Sequence, residues 1–172
     1  MTTRRAICIL LAACLPGACS GGRGAGYTLS GAYPSDISTV AVEMFRNDTY
    51  EVGLEAELAE AIVKEMQRVT PWAVTSAQRA EARLTGEVRS VDLRAVSVQR
   101  GTGLTQELAY RITVNFRFED ARSGEPRVVR LGFTGQETFV PVRGTGDRIG
   151  VGRSGAINRL AQEIVAQLRS DF

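Results

Sequence analysis

Histidine is absent from all 172 residues. That removes the commonest general base, the commonest metal ligand and the usual partner of a nucleophilic Ser or Cys, so most hydrolase templates fail at the outset. Cysteine is nearly as scarce: Cys8, Cys14 and Cys19 all precede Ser20, so neither a zinc site nor a disulfide framework reaches the body of the chain. Charge of one sign is lacking too. The 21 Lys and Arg face 19 Asp and Glu, and loss of Arg4 and Arg5 with a cleaved leader brings the basic residues down to the same 19. A neutral body gives no net-charge argument for nucleic acid. What is present is 44% hydrophobic residues, enough at this length for one core and one domain.

The N-terminus, "MTTRRAICILLAACLPGACS", has the layout of an export signal: two arginines, an apolar run, then small residues around cysteines. The run is shorter than the roughly 20 apolar residues a membrane span needs. Leu, two small residues and Cys mark a bacterial lipoprotein signal, and "LAAC" ending at Cys14 fits that pattern. "PGAC" ending at Cys19 places Pro16 where an aliphatic residue is preferred, but it leaves a longer apolar region and a Gly/Ser-rich start, "CSGGRGAG", suited to a flexible tether. Lipidation with palmitate-type chains is therefore expected at Cys19 or Cys14. Residues 1–19 read as a lipoprotein signal peptide, 20–30 as a flexible linker and 31–172 as one domain. Two or more acyl chains, at about 0.8 kcal/mol per buried methylene, hold such a protein on a membrane almost permanently.

In the body, Val40, Val42 and Met44 alternate with Thr39, Ala41 and Phe45 in a run apolar on both sides, as in an inner strand. Leu54, Leu58, Ala61, Ile62, Met66 and Val69 follow the 3.6-residue helical period until Pro71 stops it, with Glu55 and Glu57 in the first turn and Glu60–Lys64 as an i,i+4 pair. A short strand at Trp72 precedes a long one from Ala82, with Leu84, Gly86 and Val88 on one face. The turn at Arg100–Gly103 signals a hairpin. Leu108, Tyr110, Ile112, Val114, Phe116 and Phe118 alternate with polar residues, and Val129, Leu131 and Phe133 are expected to carry the core face of a third long strand. From Ser154 an apolar stripe through Ile157, Leu160, Ile164 and Leu168 predicts a second helix, started by Arg153 and Ser154. The order β-α-β-β-β-β-α predicts an α+β two-layer sandwich, two helices packed on one face of a largely antiparallel four- to five-stranded sheet.

Little in this pattern advertises chemistry. Gly150-x-Gly-x-x-Gly155 matches a phosphate-loop string, but no strand follows it and no Walker lysine is present, so it reads as a glycine-rich loop between sheet and helix. The acids Glu55 and Glu57, or Glu87 and Asp92, form no pattern beyond that of solvated carboxylates, and Trp72 reads as a cap on the core. Arg83, Arg89, Arg111, Arg117 and Arg130 all fall on the expected polar side of consecutive strands. There they form an Arg-bearing surface suited to forked phosphate contacts, with Glu87 and Glu119 interleaved to neutralise it.

Taken together, "GYTLSG", "P-x-x-I-x-T-V-A-V-x-x-F-x-N-x-T" from Pro34 to Thr49, "G-L-E-x-x-L-x-x-A-I" from Gly53 to Ile62, "A-x-A-x-L-x-G-x-V" from Ala80 to Val88 and "A-I-x-x-L-A-x-x-I-V-x-x-L" from Ala156 to Leu168 resemble the lipopolysaccharide-assembly lipoprotein family LptE. The resemblance implies a non-enzymatic lipoprotein of the Gram-negative outer membrane, on its periplasmic side, without cofactor or metal. Its implied partners are the β-barrel LptD, which it plugs and helps assemble, and lipopolysaccharide; no nucleic acid is implied. The chain departs from the family pattern at Glu43, where relatives often carry a second Pro, and in its Gly-rich stretch from Gly144 to Gly155. The strand motif also resembles the opening of periplasmic lipoproteins that regulate a cell-wall synthase or a secretion channel, which is the alternative reading.

Overall fold

A computed structural model describes residues 33–98, 105–140 and 147–169. Cys14, Cys19, the linker and the turn at Arg100–Gly103 lie outside the described residues. Eight elements follow in chain order: β1 (Thr39–Val42), β2 (Arg46–Asn47), α1 (Leu54–Val69), β3 (Ala73–Val74), β4 (Ala82–Val98), β5 (Thr105–Asp120), β6 (Pro126–Phe139) and α2 (Asp147–Gln167). Apart from β2, a two-residue strand, this is the order the hydrophobic pattern predicts. The sheet runs β3-β1-β4-β5-β6, with β2 paired to β4 beyond the end of β1. The long pairs β4–β5 and β5–β6 are antiparallel, and the short strands β1, β2 and β3 add parallel pairs at one side. Both helices pack on one face, α1 over the short strands and α2 over β5 and β6, and they touch each other.

Helix α1 begins where the sequence rules place it. Gly53 adopts φ 80° before the first turn, a left-handed conformation that costs glycine little. Glu55 and Glu57 lie in the first turn, favourable to the helix dipole. Leu54, Leu58, Ile62 and Met66 are fully buried. At the other end Thr70 closes the helix by donating both its amide and its hydroxyl to the Met66 carbonyl, at 2.9 and 2.7 Å, just before Pro71. Glu60 and Lys64 pair at 2.9 Å.

The core joins the helix stripes to Ala82, Leu84 and Val88 of β4 and to Tyr110, Ile112, Val114, Phe116 and Phe118 of β5. Trp72 is buried in it, stacked on Phe118 at 5.6 Å and edge-on to Tyr33 at 5.2 Å. Met44 departs from expectation: β1 ends at Val42, and Met44 is 68% exposed while Phe45 turns inward.

β6 also departs. Val129 is 42% and Leu131 78% exposed, so neither belongs to the core as the alternation predicts. The reason is a bulge. Val114 faces Phe133 but Phe116 faces Arg130, so β6 carries an extra residue between these pairs, next to Gly132 at φ 63°. Before the bulge Val128 and Arg130 point toward the helices; after it Phe133, Gly135 and Phe139 do.

The stretch from Gly150 to Gly155 is helix rather than loop, since α2 starts at Asp147, well ahead of Arg153 and Ser154. Close packing explains the glycines. A Cβ on Gly152 would run into the Phe139 ring, and one on Gly155 would stand 2.6 Å from Glu137 Cγ. On the strand side, a Cβ on Gly135 would stand 2.6 Å from Leu160 Cβ. Helix and strand approach until only hydrogen atoms fit between them.

Candidate functional site

Among the described residues no element covers the sheet face turned away from the helices, and this face gathers most of the arginines singled out by sequence. Arg83 lies opposite Glu119, Thr85 opposite Arg117 and Asp92 opposite Arg111 across the β4–β5 ladder. Arg130 is not among them. The bulge turns it to the helix side, where its Nε donates to Gln167 Oε1 of α2 at 3.0 Å. The polar-face placement expected for Arg130 is therefore wrong, because strict alternation does not survive an inserted residue.

The remaining arginines are held by neighbours. Arg89 Nη1 donates to Asp48 Oδ2 at 2.8 Å and lies 3.5 Å from Glu87 Oε1. Arg117 reaches Glu119 at 3.4 Å. Arg111 donates through Nε and Nη2 to Gln136 Oε1 at 3.2 and 2.9 Å. Arg83 Nε lies 3.1 Å from Glu43 Oε1, a charge contact without hydrogen-bond alignment. Glu43, at the departure from the family motif, also donates its amide to the Leu84 carbonyl at 2.9 Å, a bond a proline there would lose.

One residue escapes sequence reasoning. Arg46 of β2 joins the same face, contacting Glu87 at 2.5 Å and Asp48 at 3.0 Å, and Asp48 first, then Glu87, holds its guanidinium above the usual arginine value. Its place depends on the parallel β2–β4 pairing, Arg46 opposite Glu87, and two residues of strand carry no period to read. Asn115 links this network to the bulge: it donates to Glu87 Oε1 at 2.8 Å and accepts the Gly132 amide at 2.8 Å.

Between these groups lies a groove of about 420 Å³, lined by Arg46, Glu87, Asn115, Arg117, Val129 and Leu131 among others. It sets guanidinium groups beside exposed aliphatic side chains. Such a surface matches a ligand that is both anionic and apolar, or a protein wall of mixed character. Acids in the face keep it close to neutral, and exposed pairs of this kind are each worth about 0–1 kcal/mol, so an incoming phosphate or carboxylate exchanges for them at small cost.

The carboxylates considered as acid/base couples are engaged separately. Glu55 accepts from Asn47 Nδ2 at 2.7 Å, and its own amide, then Asn47, lowers its pKa. Glu57 pairs with Arg153 at 2.9 Å, and Asp92 accepts a long bond from Ser90. Among the described residues no cluster of three His, Cys, Asp or Glu is placed to hold a metal ion, and no helix is long and apolar enough to cross a membrane.

The two signature segments of the first half interlock. Phe45 lies over Gly86 so closely that a Cβ there would enter its ring. Asn47 and Thr49 build the turn that follows. Asn47 Oδ1 accepts the Thr49 amide at 2.9 Å, Asn47 Nδ2 donates to the Glu51 carbonyl at 2.8 Å, and Thr49 Oγ1 accepts the Glu51 amide at 3.2 Å. Motif and fold thus have one explanation, a scaffold.

The arrangement defines a class, a two-layer α+β sandwich with one open, arginine-bearing sheet face, and solved structures share its fold. A hypothetical protein from Chlamydia trachomatis superposes with a TM-score of 0.53 at 14% identity, covering 77% of this chain and 95% of that one. A Xanthomonas campestris protein of the DUF330 family does so with 0.53 at 14% identity, covering 78% and 85%. PelC of Paraburkholderia phytofirmans, crystallised as a dodecamer, gives 0.50 at 17% identity, covering 82% and 96%. At such identities the likeness concerns fold alone. No curated protein matches the chain in sequence. The family is nevertheless defined: residues 37–172 match LptE, lipopolysaccharide-assembly. The chain belongs to that family, and with it to the proteins of lipopolysaccharide assembly.

Proposed function

We propose that the protein is an outer-membrane lipoprotein, lipidated at Cys19 or Cys14, that serves without catalysis as plug and assembly partner of the LptD β-barrel in lipopolysaccharide transport. The observation that carries this reading is the LptE match across residues 37–172. The open sheet face supports it. Arg46, Arg83, Arg89, Arg111 and Arg117 share that face, and Arg46 and Arg117 line its groove together with Val129 and Leu131, which suits a phosphorylated glycolipid or the polar wall of a barrel lumen. Residues 1–19 as signal peptide, 20–30 as tether and 31–172 as one domain complete the proposed organisation. The family match favours this role over regulation of a cell-wall synthase or a secretion channel.

Purification from outer membranes tests the reading. The mature protein is expected to carry an acylated N-terminal cysteine by mass spectrometry and to co-purify with a large β-barrel. Replacing Arg89 and Arg117 together with Ala is expected to weaken capture of phosphorylated glycolipid roughly tenfold, while Arg130→Ala leaves it near wild type. An unmodified polypeptide recovered free of membranes, or retention of a peptidoglycan synthase in place of a barrel, would sink the proposal.

A further inference from the structure

Large apolar side chains are left in solvent mainly at one end of the molecule. Tyr50 is fully exposed and Val52 is 88% exposed in the turn between β2 and α1; Ile149 and Val151 project from the first turns of α2, and Leu93 and Val96 from the far part of β4. These segments stand at one level. Arg153 ties the start of α2 to the turn, donating to the Val52 carbonyl at 3.3 Å and to Glu57 at 2.9 Å. Gly152 packs on Phe139, whose β5 partner Leu108 faces Ala95 of β4, and Leu93 faces Tyr110. The chain comes in at the opposite end, where Tyr33 packs against Trp72 and Arg169.

The turn that displays Tyr50 and Val52 is held by its own side chains, through Asn47 and Thr49. An exposed aromatic on a rigid turn loses little freedom on binding, as an anchor residue requires. The acids around it are already matched, Asp48 by Arg89 and Arg46, Glu51 and Glu57 by Arg153. The rim therefore offers little net field, and the attraction available is apolar.

We propose that this end is a docking surface, with Tyr50 as its anchor, that seats in an uncharged apolar recess of the barrel partner. The proposal rests on the plug reading above and names the part of the chain that makes the contact. Geometry favours a protein over a bilayer. The segment from either leader cysteine to Tyr33, acting as the tether proposed above, would have an r.m.s. reach of about 20–25 Å as a Gly-rich random chain. Along β5, Phe118 beneath Trp72 marks one end and Tyr110 and Leu108, opposite Leu93 and Phe139, mark the other, so the two ends stand about 27–34 Å apart at roughly 3.4 Å per residue. The leaflet that holds the anchor lies at the wrong end, whereas a barrel wall rises away from that leaflet.

The experiment uses the full-length lipoprotein in outer membranes that also contain the barrel. A photo-crosslinking phenylalanine is placed at Tyr50 and, as a control, at Ser123 in the exposed turn at the other end. In parallel, Tyr50→Ser is combined with Val52→Ser. The Tyr50 probe is expected to crosslink to the barrel and the Ser123 probe to do so far less. The double variant is expected to retain at least ~10-fold less barrel with an unchanged unfolding midpoint, since both side chains are already in water. Wild-type recovery of the barrel by the double variant, with no crosslink from position 50, would overturn this surface and leave the plug reading standing. Crosslinks from Tyr50 to phospholipid alone, or to a second copy of the chain, would overturn it too. Failure of the unmodified protein to retain any barrel would overturn both.

Discussion

A methyl group at Gly86 has nowhere to go. It would enter the Phe45 ring on one side and stand 2.7 Å from the Asn115 carbonyl oxygen on the other, and that oxygen belongs to the sheet backbone and cannot retreat. Gly86→Ala is therefore expected to cost about 2–3 kcal/mol, read from urea unfolding. Phe45→Leu is expected to recover part of that loss in the double variant, because it relieves the ring but not the carbonyl. Sequence showed Gly86 as a motif position and Phe45 as one of two alternating apolar sets, without showing that they meet. Arg130, Val129 and Leu131 were misplaced for a related reason. Alternation is a local rule, and a single inserted residue beside Gly132 inverts every side chain beyond it. A glycine in a strand signals a bulge in general, but which side of it keeps the expected phase is decided by the partner strand.

At the scale of elements, α1, β4 and β5 were legible because their periods run long and their ends carry punctuation: Gly53 before α1, Pro71 after it, the Asp120 turn after β5. The beginning of α2 was not. Three glycines in its first turns argue against helix, each by about 1 kcal/mol relative to Ala, and tertiary contact overrides them. Gly150 and Gly152 separate the two effects. Nothing lies within 4 Å of a Cβ built at Gly150, so Gly150→Ala is expected to stabilise the protein by about 0.5–1 kcal/mol through helix propensity. Gly152→Ala meets the Phe139 ring and is expected to destabilise by about 1–3 kcal/mol despite the same propensity gain. Thermal unfolding of the two single variants checks the contrast, and equal shifts of one sign would show that α2 does not lie against β6 as described. Gly155→Ala should fall between them, since the Glu137 side chain it meets can swing aside.

For the whole molecule, layer architecture was readable from the order of elements, but the parallel pairing of β1 and β2 with β4 was not, because short strands carry no register signal. That pairing is what brings Arg46 to the open face. Acid should loosen the opposite end first. Arg127 donates to Asp36 at 2.6 Å and lies 3.6 Å from Asp120, joining the incoming segment to β6. The Arg127 hydrogen bond lowers the Asp36 pKa, and the Ser123 and Arg122 amides lower that of Asp120. Both folded-state values lie below the unfolded value of 3.8, so the stabilisation is complete above that pH and disappears as pH falls through the lower folded values. Asp120→Asn is thus expected to be less stable than wild type at neutral pH, with the two converging below about pH 4 in urea midpoints measured across pH. A constant gap at every pH would refute it.

The single tryptophan sits where that incoming segment meets the domain. Trp72 stacks on Phe118, abuts Tyr33 and donates its indole N–H to the Pro34 carbonyl at 3.4 Å. The molecule therefore carries a built-in fluorescent gauge. The colour of its emission reports whether Tyr33 and Pro34 are seated, and so whether a pull on the chain ahead of Tyr33 is transmitted to the body.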